Sequence, residues 1–260
     1  MHAGTDHQDR LAEILGCPVC HEPLSDDRCV ACGRHYPGGH YAPVPPPDDD
    51  VRSKWGLWEQ LQANGSEVYD ADPAGNLSVG ERQDARAFAE FSRLTGWVLD
   101  VGCGPQALPS YSGGDHFVGI DPLPGGPREF AFVQGVAEYL PFRDAVFDRV
   151  LFATSLDHML SPQRAIAEAR RVLKPGGLAC VWHGEPPLPP KLAWRERLKQ
   201  RIAGHPQVLG YQTPKGAVDP FHFSHPRFAT VLQWLADGGF AIDREQRDEV
   251  GNCLVTAERP

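Results

Sequence analysis

Four cysteines near the N-terminus have the spacing of a metal site. They form two Cys-x-x-Cys pairs, Cys17 with Cys20 and Cys29 with Cys32, separated by eight residues. Four thiolates placed in this way can surround one Zn²⁺ ion tetrahedrally, whereas a redox motif would use a single pair. A segment this short cannot bury enough apolar surface to fold alone, so the metal would supply its folding free energy. We therefore predict a structural four-cysteine zinc ribbon over residues 1–42.

A glycine-containing turn in the middle of the chain has the pattern of a nucleotide site. The sequence VLDVGCGPQ, residues 98–106, puts apolar residues and a carboxylate directly before Gly102 and Gly104. Glycines allow the backbone to approach a ligand closely at the end of a strand. Asp121 follows Gly102 by 19 residues and ends the next apolar run, where a carboxylate can accept both ribose hydroxyls. A dinucleotide fold is an alternative, but the third glycine of its motif is missing.

The residues around this turn predict alternating strands and helices. Short β-branched or aromatic runs predict strands at 97–102, 116–121, 147–154 and 178–183. Apolar residues at helical spacing predict helices from about residue 51, over 81–94, over 162–172 and over 227–237, followed by a hairpin at 240–245 and 252–258. Ser161 is the predicted N-cap of the third helix. Such alternation predicts an α/β protein with a parallel sheet covered by helices.

The chain is acidic and lacks the sequence pattern of a membrane segment. Its formal net charge is −9, and the first fifty residues contain three basic and nine acidic ones, which disfavours nonspecific binding to nucleic acid. Residues 43–50 are rich in Pro and Asp and predict a stiff linker. The sequence contains no long apolar run and no secretory pattern, so we expect a cytoplasmic protein with reduced cysteines.

Several motifs together resemble those of the class I S-adenosylmethionine-dependent methyltransferases. They are VLDVGCGPQ, FVGIDPL, the LPF and FD signatures at 140–142 and 147–148, and RRVLKPGG at 170–177. The cysteine segment is similar to the zinc ribbon, ending in Tyr-Pro, that precedes many bacterial members. The resemblance implies a Rossmann-like domain over residues 51–260, with a seven-stranded sheet whose last strand is antiparallel. It also implies S-adenosylmethionine as the cofactor.

The resemblance further implies a set of cofactor-binding residues. Asp100 and the turn glycines would cradle the methionine and ribose, and Asp121 would hold the ribose. Residues 136–138 would lie along the adenine, and residues 154–155 would border the sulfonium. Val136 stands where many relatives have an aspartate that reads the adenine amino group, and the lost hydrogen bond, worth about 1.5 to 3 kcal/mol, predicts weaker binding. The full set is Asp100, Gly102, Cys103, Gly104, Asp121, Pro122, Val136, Ala137, Glu138, Thr154 and Ser155.

Candidate residues for the methyl acceptor follow the predicted strands of the sheet. An imidazole titrates near neutral pH, so His158 is the first candidate for a general base, with Asp157 as the group that orients it. The alternative is that His158 packs against or caps the next helix. His183, His222 and His225 are candidate substrate-binding residues. The spacing of these histidines does not require a metal, and we predict none there.

Residues 184–226 are predicted to be an insertion that forms a lid or an acceptor pocket. Within it, residues 191–202 predict a basic amphipathic helix that could attract an anionic acceptor, although a solvated helix face would have the same pattern.

The predicted function is methyl transfer from S-adenosylmethionine to an O or N atom of a small molecule, such as a glycan, lipid or secondary-metabolite precursor, with a carbon atom as the less favoured acceptor. One alternative is methylation of a guanine base in ribosomal RNA, because bacterial enzymes of that kind also carry a Cys-rich ribbon. The acidic charge of the ribbon opposes it. A second alternative is a noncatalytic protein that binds the cofactor or serves as a scaffold.

Overall fold

The computed structural model describes residues 11–71, 83–104, 116–124, 130–185, 222–249 and 251–260. Its centre is a seven-stranded sheet, formed by β3 (Val98–Val101), β4 (Phe117–Asp121), β5 (Ala131–Gln134), β6 (Phe147–Ala153), β7 (Leu173–Gly184), β8 (Ala241–Arg247) and β9 (Asn252–Glu258). The strand order is β5-β4-β3-β6-β7-β9-β8. Strands β3 to β7 pair in parallel, and β9 is antiparallel to both of its neighbours. The predicted α/β fold with its antiparallel last strand is confirmed.

The residue pattern does not predict strand β5. This strand has only four residues, and three of them are partly exposed. It lies at the edge of the sheet, where one side has no neighbouring strand of the sheet. Its apolar run, residues 130–133, is only four residues long, and a run of this length does not by itself distinguish a strand from a helix.

The described residues contain four α-helices: α1 (Asp49–Ala71), α2 (Gln83–Ser92), α3 (Pro162–Val172) and α4 (Phe228–Asp237). The first of them begins inside the predicted linker 43–50. Helix α2 buries Phe88 against one face of the sheet, with its ring 5.9 Å from that of Trp182. Helices α3 and α4 bury Ile166 and Leu235 in the cluster on the other face. Successive residues of the strands alternate between these two clusters, as the period-2 geometry of a strand requires.

The N-terminal end of helix α3 differs from the prediction. Ser161 precedes the helix and Pro162 is its first residue, but the Ser161 hydroxyl makes no capping hydrogen bond. The buried carboxylate of Glu138 accepts the Ser161 N–H instead, at 3.0 Å. An acidic group near a helix N-terminus is favourable because it satisfies a free N–H and complements the helix dipole.

The cysteine segment packs directly on the sheet domain. It contains a short hairpin, β1 (Leu24–Ser25) with β2 (Arg28–Cys29), and its buried residues belong to the same hydrophobic cluster as the sheet. Its backbone pairs with the LPF motif: the Gly16 N–H donates to the Pro141 carbonyl at 3.0 Å, and the Arg143 N–H donates to the Ile14 carbonyl at 2.9 Å. The Tyr41 N–H also donates to a carbonyl of edge strand β5. Pairing of this kind covers a sheet edge that would otherwise expose unpaired backbone groups.

The predicted helix 191–202 and most of the insertion 184–226 lie outside the described residues. Among the helices that the structure does describe, none is both long and apolar enough to cross a membrane.

Candidate functional site

The turn after β3 requires glycine at its first position. Gly102 has φ of +76°, and a Cβ added there would lie 2.5 Å from the Cβ of Ser155. Ser155 cannot move away freely, because its buried hydroxyl donates to the Val101 carbonyl at 2.6 Å. Gly104 has φ of +70°, and a Cβ there would meet no described atom within 4 Å. Among the described residues, the turn is therefore closely packed at Gly102, whereas Gly104 has no described neighbour in the direction of a side chain.

Asp121 stands at the end of β4 with a fixed carboxylate. One oxygen accepts the Gly104 N–H and the other accepts the Leu123 N–H, both at 2.8 Å. A carboxylate accepts hydrogen bonds only, and at the carboxyl end of a parallel strand it is a group suited to ribose hydroxyls. This arrangement fits a ribose, whose two hydroxyls are adjacent.

Asp100 presents a buried oxygen next to the same turn. Its Oδ1 is buried and has no hydrogen-bond partner among the described residues. Burial, with a smaller effect from the negative charge of Asp121, raises the pKa of Asp100 to about 7. A buried carboxyl without a partner is costly, and a cationic ligand would relieve the cost. The ammonium group of S-adenosylmethionine has the required charge.

Cys103 and Pro122 shape the two sides of this edge. A Cβ on Gly119 would lie 2.7 Å from the Cys103 sulfur, so the missing side chain makes room for the thiol. The Pro122 carbonyl accepts the Gln134 side-chain amide at 2.8 Å, which ties the end of β4 to β5.

The segment predicted to lie along adenine is buried in the protein. Val136 is only 2% exposed and packs in a cluster with Val51 and Trp58 of α1. Ala137 is also buried, and the Glu138 carboxylate bonds to the N-terminal end of α3, with a pKa raised by burial. Their side chains thus hold α1 and α3 in place, and their contact with adenine stays a prediction.

Strand β6 ends in a strained residue. Thr154 has φ of +55°, an uncommon conformation for a β-branched side chain. Its N–H donates to the Trp182 carbonyl of the neighbouring strand at 2.8 Å, and its side chain is exposed. Strain of this kind persists only where the surrounding structure enforces it, and it is concentrated at functional sites.

Beyond Thr154, the structure brings together residues that are far apart in sequence. The His158 Nε2 lies 3.9 Å from Asp157 Oδ1, and the His222 Nε2 lies 3.6 Å from Asp157 Oδ2. The two imidazole rings are 4.3 Å apart. The Asp157 carbonyl accepts the N–H groups of Phe223 and Ser224 at 2.8 and 2.9 Å, which fixes the second segment on the first. We call Asp157, His158 and His222 the Asp-His cluster.

The other two predicted acceptor histidines surround this cluster. The ring of His225 lies 4.9 Å from that of His222. His183 is buried, and its Nε2 lies 2.8 Å from the Pro226 carbonyl. It therefore supports the segment that carries His222 and His225, and a direct contact of His183 with an acceptor stays a prediction.

Two tryptophans of α1 adjoin the cluster, and the sequence pattern indicates them only as part of a helical apolar stripe. The Trp58 Nε1 donates to the His158 carbonyl at 3.1 Å. Trp55 lies 4.8 Å from Trp58 between ring centroids, and its own Nε1 is buried without a hydrogen-bond partner among the described residues. Trp55 and Trp58 are three residues apart in a predicted helix that precedes the glycine turn. This spacing is the sequence signal that could have indicated two aromatic side chains beside the site.

The four ribbon cysteines also converge in space. The Sγ atoms of Cys17 and Cys32 are 3.7 Å apart, those of Cys20 and Cys29 are 3.3 Å apart, and all four lie within 4.8 Å of one another. A tetrahedral zinc site with Zn–S bonds of about 2.3 Å requires S–S distances of about 3.8 Å. Burial opposes ionisation of Cys29, but backbone N–H groups outweigh it and lower its pKa to about 6. The donor set therefore fits a zinc ion.

Comparison with known proteins agrees with this geometry. Residues 99–181 match the family described as a methyltransferase domain. An uncharacterized methyltransferase of Mycolicibacterium gilvum is 38% identical over 102 residues, which are 34% of this chain and 40% of that protein. A demethylmenaquinone methyltransferase of Clavibacter sepedonicus is 32% identical over 202 residues, which are 70% of this chain and 82% of that protein. The chain spans less than half the length of the first curated relatives that it matches.

Among solved structures, the chain is similar to a 1,6-didemethyltoxoflavin-N1-methyltransferase of Burkholderia thailandensis with bound 1,6-didemethyltoxoflavin and S-adenosylhomocysteine. The identity is 16% and the TM-score is 0.56, covering 84% of this chain and 93% of that chain. At this identity the likeness concerns the fold alone. The strand order, the glycine turn and the relative from Clavibacter together show that the chain belongs to the class I S-adenosylmethionine-dependent methyltransferase family.

Proposed function

We propose that the protein transfers the methyl group of S-adenosylmethionine to an O or N atom of a small molecule. The observation that carries this proposal is the cofactor edge, which we define as Asp100, Gly102, Gly104 and Asp121. At this edge Gly102 and Gly104 have left-handed backbone conformations, and a backbone N–H group holds the Asp121 carboxylate. The Asp100 Oδ1 atom is buried and has no hydrogen-bond partner among the described residues. These features match a ligand that combines a ribose with a positively charged group.

The residues of this edge have separate roles in the proposal. When bound, S-adenosylmethionine supplies an electrophilic methyl group on a positively charged sulfur. Asp121 accepts the ribose hydroxyls, and Asp100 faces the ammonium group. The backbone of the Gly102 turn approaches the ligand without side-chain interference. Thr154 and Ser155, at the end of β6, border the methyl group.

The Asp-His cluster, together with Trp55 and Trp58, forms the acceptor face of the proposal. Methyl transfer depends mainly on holding the acceptor in line with the methyl group, and a proton must leave when the acceptor is a hydroxyl. His158, with Asp157 beside it, is the proposed group that takes this proton. Their 3.9 Å separation exceeds a hydrogen bond, and catalytic contacts are often long before the substrate binds. The tryptophan rings favour a planar, partly apolar acceptor.

A second candidate function is methylation of a ring carbon in a hydroxylated aromatic molecule. It is favoured by the 32% identity to a demethylmenaquinone methyltransferase over 202 residues. Loss of a hydroxyl proton makes such a ring a better nucleophile, so the same acceptor face would serve this reaction.

We also propose that the four ribbon cysteines hold a structural zinc ion. The ribbon pairs with the LPF motif and with strand β5, so the metal would stabilise the covered edge of the sheet.

Titration calorimetry with S-adenosylmethionine tests the cofactor edge. Asp121→Asn removes the charge while keeping the shape, and we expect a loss of about 1.5 to 3 kcal/mol, or about 10- to 150-fold in affinity. The matched control is Asp50→Asn, which changes an exposed carboxylate paired with Lys54 and leaves affinity unchanged. Equal affinity for the wild type and the Asp121 variant would refute the assignment, and no binding to the wild type would favour the scaffold alternative.

Transfer of a labelled methyl group tests the acceptor. The panel contains phenols, dihydroxylated quinone precursors, aromatic amines and bulk ribosomal RNA from cells that lack the protein. We expect label in a small planar hydroxylated or amino compound and none in RNA. Label in RNA would establish the ribosomal alternative, and label on a ring carbon would establish the second candidate.

A further inference from the structure

We propose that the Asp-His cluster binds a divalent transition-metal ion of the zinc type, which holds the oxygen of the methyl acceptor. This inference rests on the proposed methyl transfer for its chemistry, but the site itself is argued from geometry alone. Two imidazoles and one carboxylate are a donor set that Zn²⁺ and its neighbours in the periodic table prefer.

The distances within the cluster suit a common central ion. Each residue offers one donor atom, and the three donor atoms all lie within 4.8 Å of one another. The two carboxylate–imidazole separations are 3.6 and 3.9 Å. These values exceed hydrogen bonds, but they are close to the distance of about 3.4 Å between two donors on one tetrahedral ion with bonds of about 2.1 Å. A bridging cation explains why both imidazoles face one carboxylate without bonding to it.

The environment of the Asp157 carboxylate also favours binding of a cation. Asp157 Oδ1 is buried and has no hydrogen-bond partner among the described residues. An ionised carboxylate can only accept, and burying it without a donor or cation is costly.

The backbone holds the three ligands in place from outside the cluster. The Asp157 carbonyl accepts two N–H groups from the residues after His222, and the His158 carbonyl accepts the Trp58 indole N–H. Outer contacts that fix ligand positions are typical of metal sites. They join the segment after strand β6, helix α1 and the 222–226 segment at one point.

Three protein ligands leave a coordination position open, which distinguishes a catalytic zinc site from the closed cysteine site. A hydroxyl bound at that position loses its proton to water more easily, because the ion stabilises the oxygen anion. The oxygen then forms a bond to the methyl carbon while the carbon–sulfur bond breaks and its electron pair stays on sulfur. The products are the methyl ether and S-adenosylhomocysteine. In the metal-bound enzyme His158 is a metal ligand and not the general base. The metal ion then promotes loss of the acceptor hydroxyl proton in its place.

Native mass spectrometry of the full chain, titrated with Zn²⁺, counts the ions bound. We expect two ions in the wild type, one at the cysteines and one at the cluster, and a single ion in His222→Ala. With Co²⁺ the second ion should add visible absorption without a thiolate charge-transfer band. The matched control is His40→Ala, which removes an exposed imidazole that belongs to neither donor set and retains two ions. Asp157→Asn is the second cluster variant and should also hold one ion.

The outcomes separate this inference from the proposed function. One ion in the wild type, or two ions in both cluster variants, would overturn the metal site. Calorimetry with S-adenosylmethionine in the same samples reports on the cofactor edge and on correct folding. Cofactor binding without a second ion leaves methyl transfer intact, with His158 as the direct base. A second ion without cofactor binding leaves the metal site intact and refutes the methyltransferase.

Discussion

The cofactor edge and the acceptor face differ in how completely the protein itself fixes them. At the cofactor edge, hydrogen bonds of 2.6 to 2.8 Å join the Ser155 hydroxyl to the Val101 carbonyl and the Asp121 carboxylate to the backbone N–H groups of Gly104 and Leu123. At the acceptor face, the polar atoms of the Asp-His cluster face one another at 3.6 and 3.9 Å. The first region is held by short hydrogen bonds within the protein, whereas the three donor atoms of the second lie within 4.8 Å of one another at distances longer than hydrogen bonds. A site for a cofactor that the whole family uses can be preorganised. In our proposals the acceptor face is completed by the bound acceptor or by a metal ion.

The largest expected effect separates catalysis from cofactor binding. His158→Ala should lower kcat by about 10²- to 10⁴-fold, because the group that handles the acceptor proton is lost in either form of the mechanism. S-adenosylmethionine affinity should stay unchanged, since the cofactor edge does not contain this residue. Steady-state assays with an acceptor from the panel measure the first quantity, and calorimetry measures the second.

His40→Ala serves as the control for that variant and should keep full activity. A parallel loss of cofactor affinity in the His158 variant would break the comparison, because it would mean that the two regions form one rigid unit.

A smaller effect is expected from the glycine turn. Gly102→Ala forces a side chain into a left-handed conformation and against Ser155, at a cost of about 1 to 3 kcal/mol, or about 5- to 150-fold in cofactor affinity. Calorimetry measures the cofactor affinity of the variant. Its thermal unfolding temperature distinguishes local strain from general misfolding. Gly184→Ala is the matched control, because a Cβ there meets no described atom within 4 Å. Equal affinities for the two variants would contradict a rigid cofactor edge.

The smallest expected effect is a pH dependence at the same edge. The pKa of Asp100 is about 7 in the folded protein, above the value of about 3.9 in an unfolded chain. The folded state therefore binds the proton more tightly, and the free energy of unfolding should fall as pH rises from about 4 to about 7. Cofactor affinity should change in the opposite sense, rising by about fivefold from pH 6 to pH 7, because the cation needs the carboxylate and its ionised fraction rises by that factor.

Asp100→Asn should remove both pH dependences and weaken cofactor binding, and Asp50→Asn should preserve them. Calorimetry and chemical denaturation at several pH values supply the data. A cofactor affinity that is independent of pH in the wild type would show that Asp100 does not face the ammonium group.

The signature motifs illustrate how a sequence pattern can indicate a family without indicating a role. Asp148 of the FD motif accepts the Trp97 N–H and the Lys174 ammonium, each at 2.8 Å, and the lysine and the N–H outweigh burial and lower its pKa. Arg171 donates to the carbonyls of Leu140 and Phe142 in the LPF motif. These contacts join α3 and the start of β7 to neighbouring loops. These contacts stabilise the sheet domain and lie outside the acceptor face.

The strand and helix alternation, the glycine turn and the cysteine donor set could be predicted from the sequence, because each depends on residues that are close in the chain. The edge strand β5 was not predicted, because its run of four apolar residues is too short to distinguish a strand from a helix. Three contacts became visible in the folded protein: His222 lies beside Asp157 and His158, α1 places two tryptophans next to them, and the ribbon packs on the LPF motif. These contacts depend on strand order and on the path of long connections, and no local periodicity encodes either of them.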